Sequence, residues 1–256
     1  MRRLQALAGH AIDTIRINSF QQEFRKGRLF WVKKRNPTAV AVIAAANAFF
    51  RLCGNPVQIF NQITRWRNWE IECFQLLHGS TFSIFPEDSR SLYMEAVPGK
   101  SLSHHLNAGT LTTEMLTAAG CEFRRCHELT SPTLGKAWSH SDPHSGNILF
   151  DPSENRARLI DFETSHLPSL STSERHADDL LVLLQDLMGR LPKEHWPNVA
   201  TSFLQAYDSP EILSLLKKRL YLPRPGPARV WWAIRTTYMS SSELTHRLQT
   251  LRALLP

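Results

Sequence analysis

The chain has 256 residues, between one and two domains at about 150 residues each, and can bury a sizeable core without covalent staples, which excludes disulfide miniproteins and fibres. With 42% hydrophobic and 21% charged residues it reads as folded rather than disordered, and four cysteines with no CxxC pair point to a reducing compartment. The net charge of +7 is uneven: nine Lys/Arg stand against Asp13 and Glu23 in residues 1–36, and eight against Glu243 in residues 217–256, so both ends are basic. Such ends suit an anionic membrane surface, a nucleic acid or plain solubility.

Arg2 and Arg3 precede only a short apolar stretch without a cleavage site, and the uncharged windows 36–50 and 52–64 fall short of the ~20 residues of a spanning helix, so a cytoplasmic location is expected. Residues 15–34 mix β-branched, aromatic and basic types around a turn at Lys26-Gly27 and predict two or three strands. Asn36-Pro37 can cap a helix over 38–53 that stops at Gly54; its faces are nearly all apolar, which predicts packing inside the protein, with a place at a membrane interface beside the basic amino-terminal arm as the alternative. A second helix is predicted over 57–77, with Ile59, Ile63, Trp66, Cys73 and Leu77 on one buried stripe. Glu70 falls on that stripe, and a carboxylate on an inward face needs a cation. A strand over 92–97, a turn at Pro98-Gly99 and a helix over 112–129 with Leu116, Ala119, Phe123 and Cys126 inward come next. Beyond Asp178 the pattern is helical, broken by prolines.

The chemistry concentrates in His140-Ser-Asp142-Pro-His144-Ser-Gly-Asn147, followed by a short strand, the turn-rich residues 151–155 and the strand that ends in Asp161-Phe162-Glu163. With the hairpin turn centred near Glu154, Asn147 and Asp161 oppose each other, because paired residue numbers in an antiparallel ladder sum to a constant. An amide carbonyl and a carboxylate with positions left open suit Mg²⁺ shared with substrate phosphates. Asp142, in the same loop as Asn147, can then reach an incoming hydroxyl.

The HxDxxxxN spacing of His140, Asp142 and Asn147 followed by Asp161-Phe-Glu163 resembles the catalytic core of the protein-kinase-like superfamily. His144 and the DFE sequence resemble most the aminoglycoside and choline phosphotransferases and the bacterial lipopolysaccharide-core (Kdo and heptose) kinases. The resemblance implies an α+β fold of two lobes, a small β-rich one over residues 1–97 and a larger helical one over 98–256, with ATP and Mg²⁺ in the cleft. It implies that Asp142 orients or deprotonates the acceptor hydroxyl, that Asn147 and Asp161 hold Mg²⁺ on the ATP phosphates, and that His144 sits near the transferred group while His140 buttresses the loop. It further implies a strand lysine for the phosphates, Lys33 with Lys34 as competitor, paired to Glu70; Trp31, on the Lys33 face, would stack on adenine. The backbone of Glu95 and Val97 would serve as hinge. One acid of Asp178-Asp179 would anchor the loop, with Asp178 favoured.

No GxGxxG precedes Lys33, and the short interval from Asp161 to Asp178 carries no APE motif, so a small-molecule or lipid-linked sugar acceptor fits better than a peptide. The expected activity is transfer of phosphoryl from ATP to a hydroxyl, with lipopolysaccharide core as an acceptor class, peripheral contact with the inner membrane and no nucleic-acid partner. Two alternatives stand beside it: a kinase-like pseudoenzyme that binds nucleotide without transfer, and a metal-dependent phosphoesterase built on His140, Asp142 and His144.

Overall fold

The computed structural model describes residues 17–236 and 239–256; Ile15 and the basic stretch around Arg2 and Arg3 lie outside them. The elements in chain order are β1 Asn18–Arg25, β2 Arg28–Arg35, α1 Ala39–Leu52, β3 Val57–Ile59, α2 Ile63–His78, β4 Ile84–Pro86, β5 Ser91–Glu95 and β6 Lys100–Ser101. Then come α3 Leu102–Asn107, α4 Thr113–His127, β7 Thr130–Ser131, β8 Lys136–Ala137, a 3₁₀ turn Ser145–Asn147, β9 Ile148–Asp151, β10 Arg156–Leu159 and β11 Thr164–His166. The last five are α5 Thr172–Arg190, α6 Trp196–Tyr207, α7 Pro210–Arg219, α8 Pro227–Arg235 and α9 Ser241–Leu254. They divide into two compact units, one running to Val97 and including Phe162–Ser165, the other holding the rest.

The first unit is built on an antiparallel sheet of order β1-β2-β5-β4. Lys26 and Gly27 both take positive φ, 50° and 76°, the two-residue hairpin turn whose twist matches that of the strands it joins. Helix α1 begins at Ala39, with Thr38 rather than Asn36 in the N-cap position, and only Ala39 and Ile43 are fully buried. They meet Ile59, with Ile17, Ala46 and Phe50 packed around them. The expectation of a helix buried on all faces is thus corrected: alanines with little area to hide occupy much of its outer side, and Val40 and Leu52 are exposed. Asn47 ties α1 to β3 by a two-way amide bond with the Ile59 backbone, both contacts 2.8 Å.

The predicted 57–77 helix is also corrected. Its first turn is strand β3, which pairs with β11, so Ile59 belongs to a sheet and the helix starts at Ile63. The stripe on α2 is Trp66, Trp69, Glu70, Cys73, Phe74 and Leu77, all buried, and the Trp69 indole donates to the Thr164 carbonyl at 2.9 Å.

The second unit packs helices around a three-stranded sheet of order β10-β9-β6. Leu116, Ala119, Phe123 and Cys126 line the buried face of α4, and Phe123 meets Phe203 of α6 edge-on at 5.1 Å. Helix α5 forms the centre: Ser171 and Glu174 close a capping box at its start, and residues 175–185 are buried without a break. No helix among the described residues is long and apolar enough to cross a membrane.

Candidate active site

The loop from His140 to Asn147 is fastened to α5 at two points. Asp179 accepts the backbone N–H groups of His140 at 2.8 Å and Ser141 at 2.6 Å, and also the Nε2–H of His127 at 3.0 Å. Two turns further along the same helix face, Asp186 accepts the N–H of Ser145 at 2.9 Å, and Arg190 donates to the Ser145 hydroxyl at 2.9 Å. The anchoring acid is therefore Asp179, not Asp178. Adjacent residues point about 100° apart on a helix; Asp178 faces Arg219, at 3.0 Å, and His166, at 3.3 Å, instead of the loop.

This fastening forces Ser141 to a φ of 73° and leaves the Asp142 side chain about one-third accessible. His140 buttresses the loop from beneath: its Nε2 donates to the Ile160 carbonyl at 3.0 Å and its Nδ1 accepts the Asp142 N–H at 3.3 Å. Burial pushes the His140 imidazole below its ordinary pKa, which keeps Nδ1 an acceptor. Burial works to raise the Asp142 carboxyl, but Arg235 at 3.0 Å, with His144 and His140, outweighs it and holds the group below the usual range. A carboxylate so stabilised is a weak base and a good aligner of a hydroxyl.

Asn147 donates its Nδ2–H to the Asp142 carbonyl at 3.0 Å, which turns the amide oxygen Oδ1 the other way. The hairpin register differs by one residue from the expectation: Leu159 pairs with Ile148, and Ile160 N–H donates to Asn147 O at 3.0 Å, so Asn147 opposes Ile160 and Asp161 lies one step beyond. The cause is a four-residue turn, 152–155, centred between Ser153 and Glu154 and closed by Asn155 at a φ of 48°. Asp161 then takes a φ of 68°, which ends the ladder one residue past Ile160. Asn147 and Asp161 offer neutral and anionic oxygen, the donor set that fits a hard divalent cation. His144 Nδ1 accepts the Gly146 N–H at 3.0 Å, so Nε2 is the atom left to turn toward a ligand.

In the first unit, Lys33 and Glu70 form an ion pair with both side chains fully buried. Glu70 Oε1 also accepts the Trp66 indole N–H at 3.2 Å, and Oε2 accepts the Phe162 N–H at 3.3 Å. The cation demanded by a carboxylate on an apolar stripe is thus Lys33, whereas Lys34 is exposed. Sequence reasoning gave no role to Glu163, which stands 3.7 Å from Lys33 Nζ and accepts from the Asn18 amide. The signal was the third position of the DFE sequence, where a carboxylate replaces glycine. Trp31 is exposed on the Lys33 face of β2. The Glu95 N–H donates to Ser83 O at 2.8 Å, so only its carbonyl can serve as a hinge group; the described structure gives no partner for the Val97 backbone.

Sequence reasoning also passed over Asp186 and Arg235. The first could be found as the residue two turns from Asp179; the second carries no local signal.

No protein-family model matches the sequence, and no curated protein does. Among solved structures, the ethanolamine kinase of Plasmodium vivax superposes with a TM-score of 0.50 at 11% identity, over 95% of this chain and 84% of that one. An ADP-bound aminoglycoside phosphotransferase gives 0.45 at 12% identity, over 97% and 98%. The bifunctional kinase-methyltransferase WbdD gives 0.43 at 20%, over 86% of this chain and 47% of that one. At these identities the likeness shows the fold alone: this chain has the kinase-like fold of the ethanolamine kinase.

Proposed function

We propose that this chain, with its protein-kinase-like fold, is an ATP- and Mg²⁺-dependent phosphotransferase that places a phosphoryl group on a hydroxyl of a small-molecule or lipid-linked sugar. The supporting observation is the fastened loop: Asp179 and Asp186 hold 140–145 so that Asp142 keeps an accessible carboxylate while Asn147 is steered by the Asp142 carbonyl. A loop kept for structure alone has no need of an accessible carboxylate at its turn.

In this reading Asp142 accepts a hydrogen bond from the acceptor hydroxyl and aims its oxygen at the γ-phosphorus. The new bond joins that oxygen to phosphorus, the bond from phosphorus to the β,γ-bridging oxygen breaks, ADP leaves, and the acceptor proton passes by way of Asp142 to solvent. Asn147 and Asp161 would hold Mg²⁺, which supplies charge neutralisation on the phosphates. Lys33, held in place by Glu70, would neutralise phosphate oxygens. Transfer of this kind needs positioning and electrostatic stabilisation more than covalent chemistry.

The finer reading is a lipid-linked acceptor of the lipopolysaccharide-core type, met at an anionic membrane face. It is supported by the basic carboxyl-terminal stretch, which leaves Tyr221 and Val230 exposed. Labelled ATP with Mg²⁺ and an acceptor panel tests the reaction. Transfer by the wild type, lost in Asp142→Asn, supports it; equal and negligible turnover in both would identify a nucleotide-binding pseudoenzyme. Phosphate release from a model ester without nucleotide would favour the phosphoesterase.

A further inference from the structure

Besides its anchors on α5, the loop meets one more fixed charge: Arg235 is seated against Asp142, the group proposed above to receive the acceptor. Its Nη1 lies 3.0 Å from Asp142 Oδ1, and its guanidinium carbon lies 4.8 Å from the centre of the Trp231 ring, which limits where the fork can point. The Arg235 side chain is 12% exposed and that of Asp142 34%, so the cation is held at the edge of an accessible carboxylate.

The placement is built from the backbone upward. The residue after α8, Thr236, is fully buried and sits on α5 at Gly189, where a Cβ would fall 2.8–2.9 Å from the Thr236 backbone. Only glycine allows that approach. Arg247 of α9 locks the same end of α5 by donating to the carbonyls of Met188 at 2.6 Å and Leu191 at 2.7 Å. A guanidinium presents five N–H donors in a planar fork, and among the described residues one contact, to one carboxylate oxygen, is made. An acceptor hydroxyl bonded to Asp142 would therefore arrive beside a fixed positive charge with donors to spare. A neighbouring carboxylate or phosphate on the acceptor meets that charge, and a neighbouring ammonium is repelled by it.

We propose that Arg235 is an acceptor-binding residue, and that the acceptor carries an anionic group, carboxylate or phosphate, close to the hydroxyl that is phosphorylated. This rests on the phosphotransferase reading of Asp142 and deepens it by assigning the charge class of the substrate.

The test uses the full chain with Mg²⁺ and labelled ATP on matched sugar sets of hexose, pentose and keto-sugar type, each as the neutral sugar, the sugar acid, the sugar phosphate and the amino sugar. ATP hydrolysis to water is followed in parallel, and acceptor binding by calorimetry. In the wild type the anionic members should exceed their neutral counterparts by about 10-fold or more in kcat/KM, and the amines should be poorest. In Arg235→Gln the preference should collapse to within about 3-fold, mainly through KM, as a lost binding contact does. Arg235→Lys should keep its sign at reduced size, because the charge stays and the fork is lost. Gly189→Ala, which retains the arginine but displaces its seat, should weaken the preference too and serves if Arg235→Gln does not fold.

The sugar-acid and sugar-phosphate arms identify which anion is read. Equal handling of all charge classes by the wild type, or an Arg235→Gln effect of the same factor on every acceptor and on water, overturns the assignment and leaves phosphotransfer standing. So does failure of every anionic member to bind or react while ATP hydrolysis persists. Absence of ATP turnover with any acceptor or with water overturns the phosphotransferase reading itself.

Discussion

Two ion pairs of this protein, Lys33–Glu70 and Asp142–Arg235, use the same chemistry in opposite surroundings. Lys33–Glu70 is sealed, with neither side chain exposed, and Glu70 is further held by the Trp66 indole and the Phe162 N–H. Asp142–Arg235 is open to solvent on its carboxylate side. Taking two charges out of water is costly, and the sealed pair returns that cost only while both partners and their hydrogen bonds remain. The open pair is screened and contributes little to stability, so its value lies in what approaches it. One pair is a fixture of the fold, and the other is available to a ligand.

Breaking each pair should separate the two roles. The largest effect expected is on turnover: Asp142→Asn should lower it by about 10²–10⁴-fold while moving the unfolding free energy by less than about 1 kcal/mol. Urea titration beside the ATP assay checks both, and a large loss of stability would show that the open pair is structural. In the sealed pair the order reverses. Lys33→Met strands the Glu70 charge and should cost about 3–5 kcal/mol of stability, most of it regained in Lys33→Met/Glu70→Leu, which removes both charges of the pair. A double variant no more stable than Lys33→Met would mean that Lys33 contributes to stability through something other than charge balance.

A smaller effect distinguishes the neighbouring acids on α5. Asp179→Asn, which weakens two bonds to the loop and one to His127, should cost about 2–3 kcal/mol, and Asp178→Asn, on a half-open pair with Arg219, about 1 kcal/mol or less. Comparable losses would make the loop anchor a shared one.

The smallest is a pH effect around Asp179. His127 and His176 stack at 3.9 Å, and burial lowers the pKa of both, that of His176 to about 3. A histidine whose folded pKa is depressed stays neutral in the fold while the unfolded chain takes up the proton. Stability should therefore be full above about pH 6.5 and decline as pH falls from there toward 3, by about 1 kcal/mol per unit for each such residue. Urea midpoints at pH 7.5 and 5.5 measure it; His176→Gln should flatten the slope, and an unchanged slope would place the titration elsewhere.

Much of this was legible in the sequence where the constraint is local. The loop–hairpin pattern of 140–163 carries its own turn signals, and Glu70 betrays a buried cation because a carboxylate on an apolar stripe is otherwise untenable. What escaped depends on distant partners or on rotation. The start of the 57–77 segment became a strand because it found β11 far along the chain. Asp178 and Asp179 cannot be told apart without knowing how α5 is turned toward the loop. The hairpin register slipped by one because an even-numbered turn has its centre between residues. Arg235 was invisible, since only the seat at Gly189 brings it to Asp142.

That seat has a mechanical consequence. Asp179, Asp186 and Gly189 are carried by one continuous helix, so the carboxylate-bearing loop and the arginine that faces it are both measured from the same ruler. Any shift of that rod moves the two together and preserves the gap between them, which means the charge selectivity assigned to this gap can survive motions that alter the speed of the reaction.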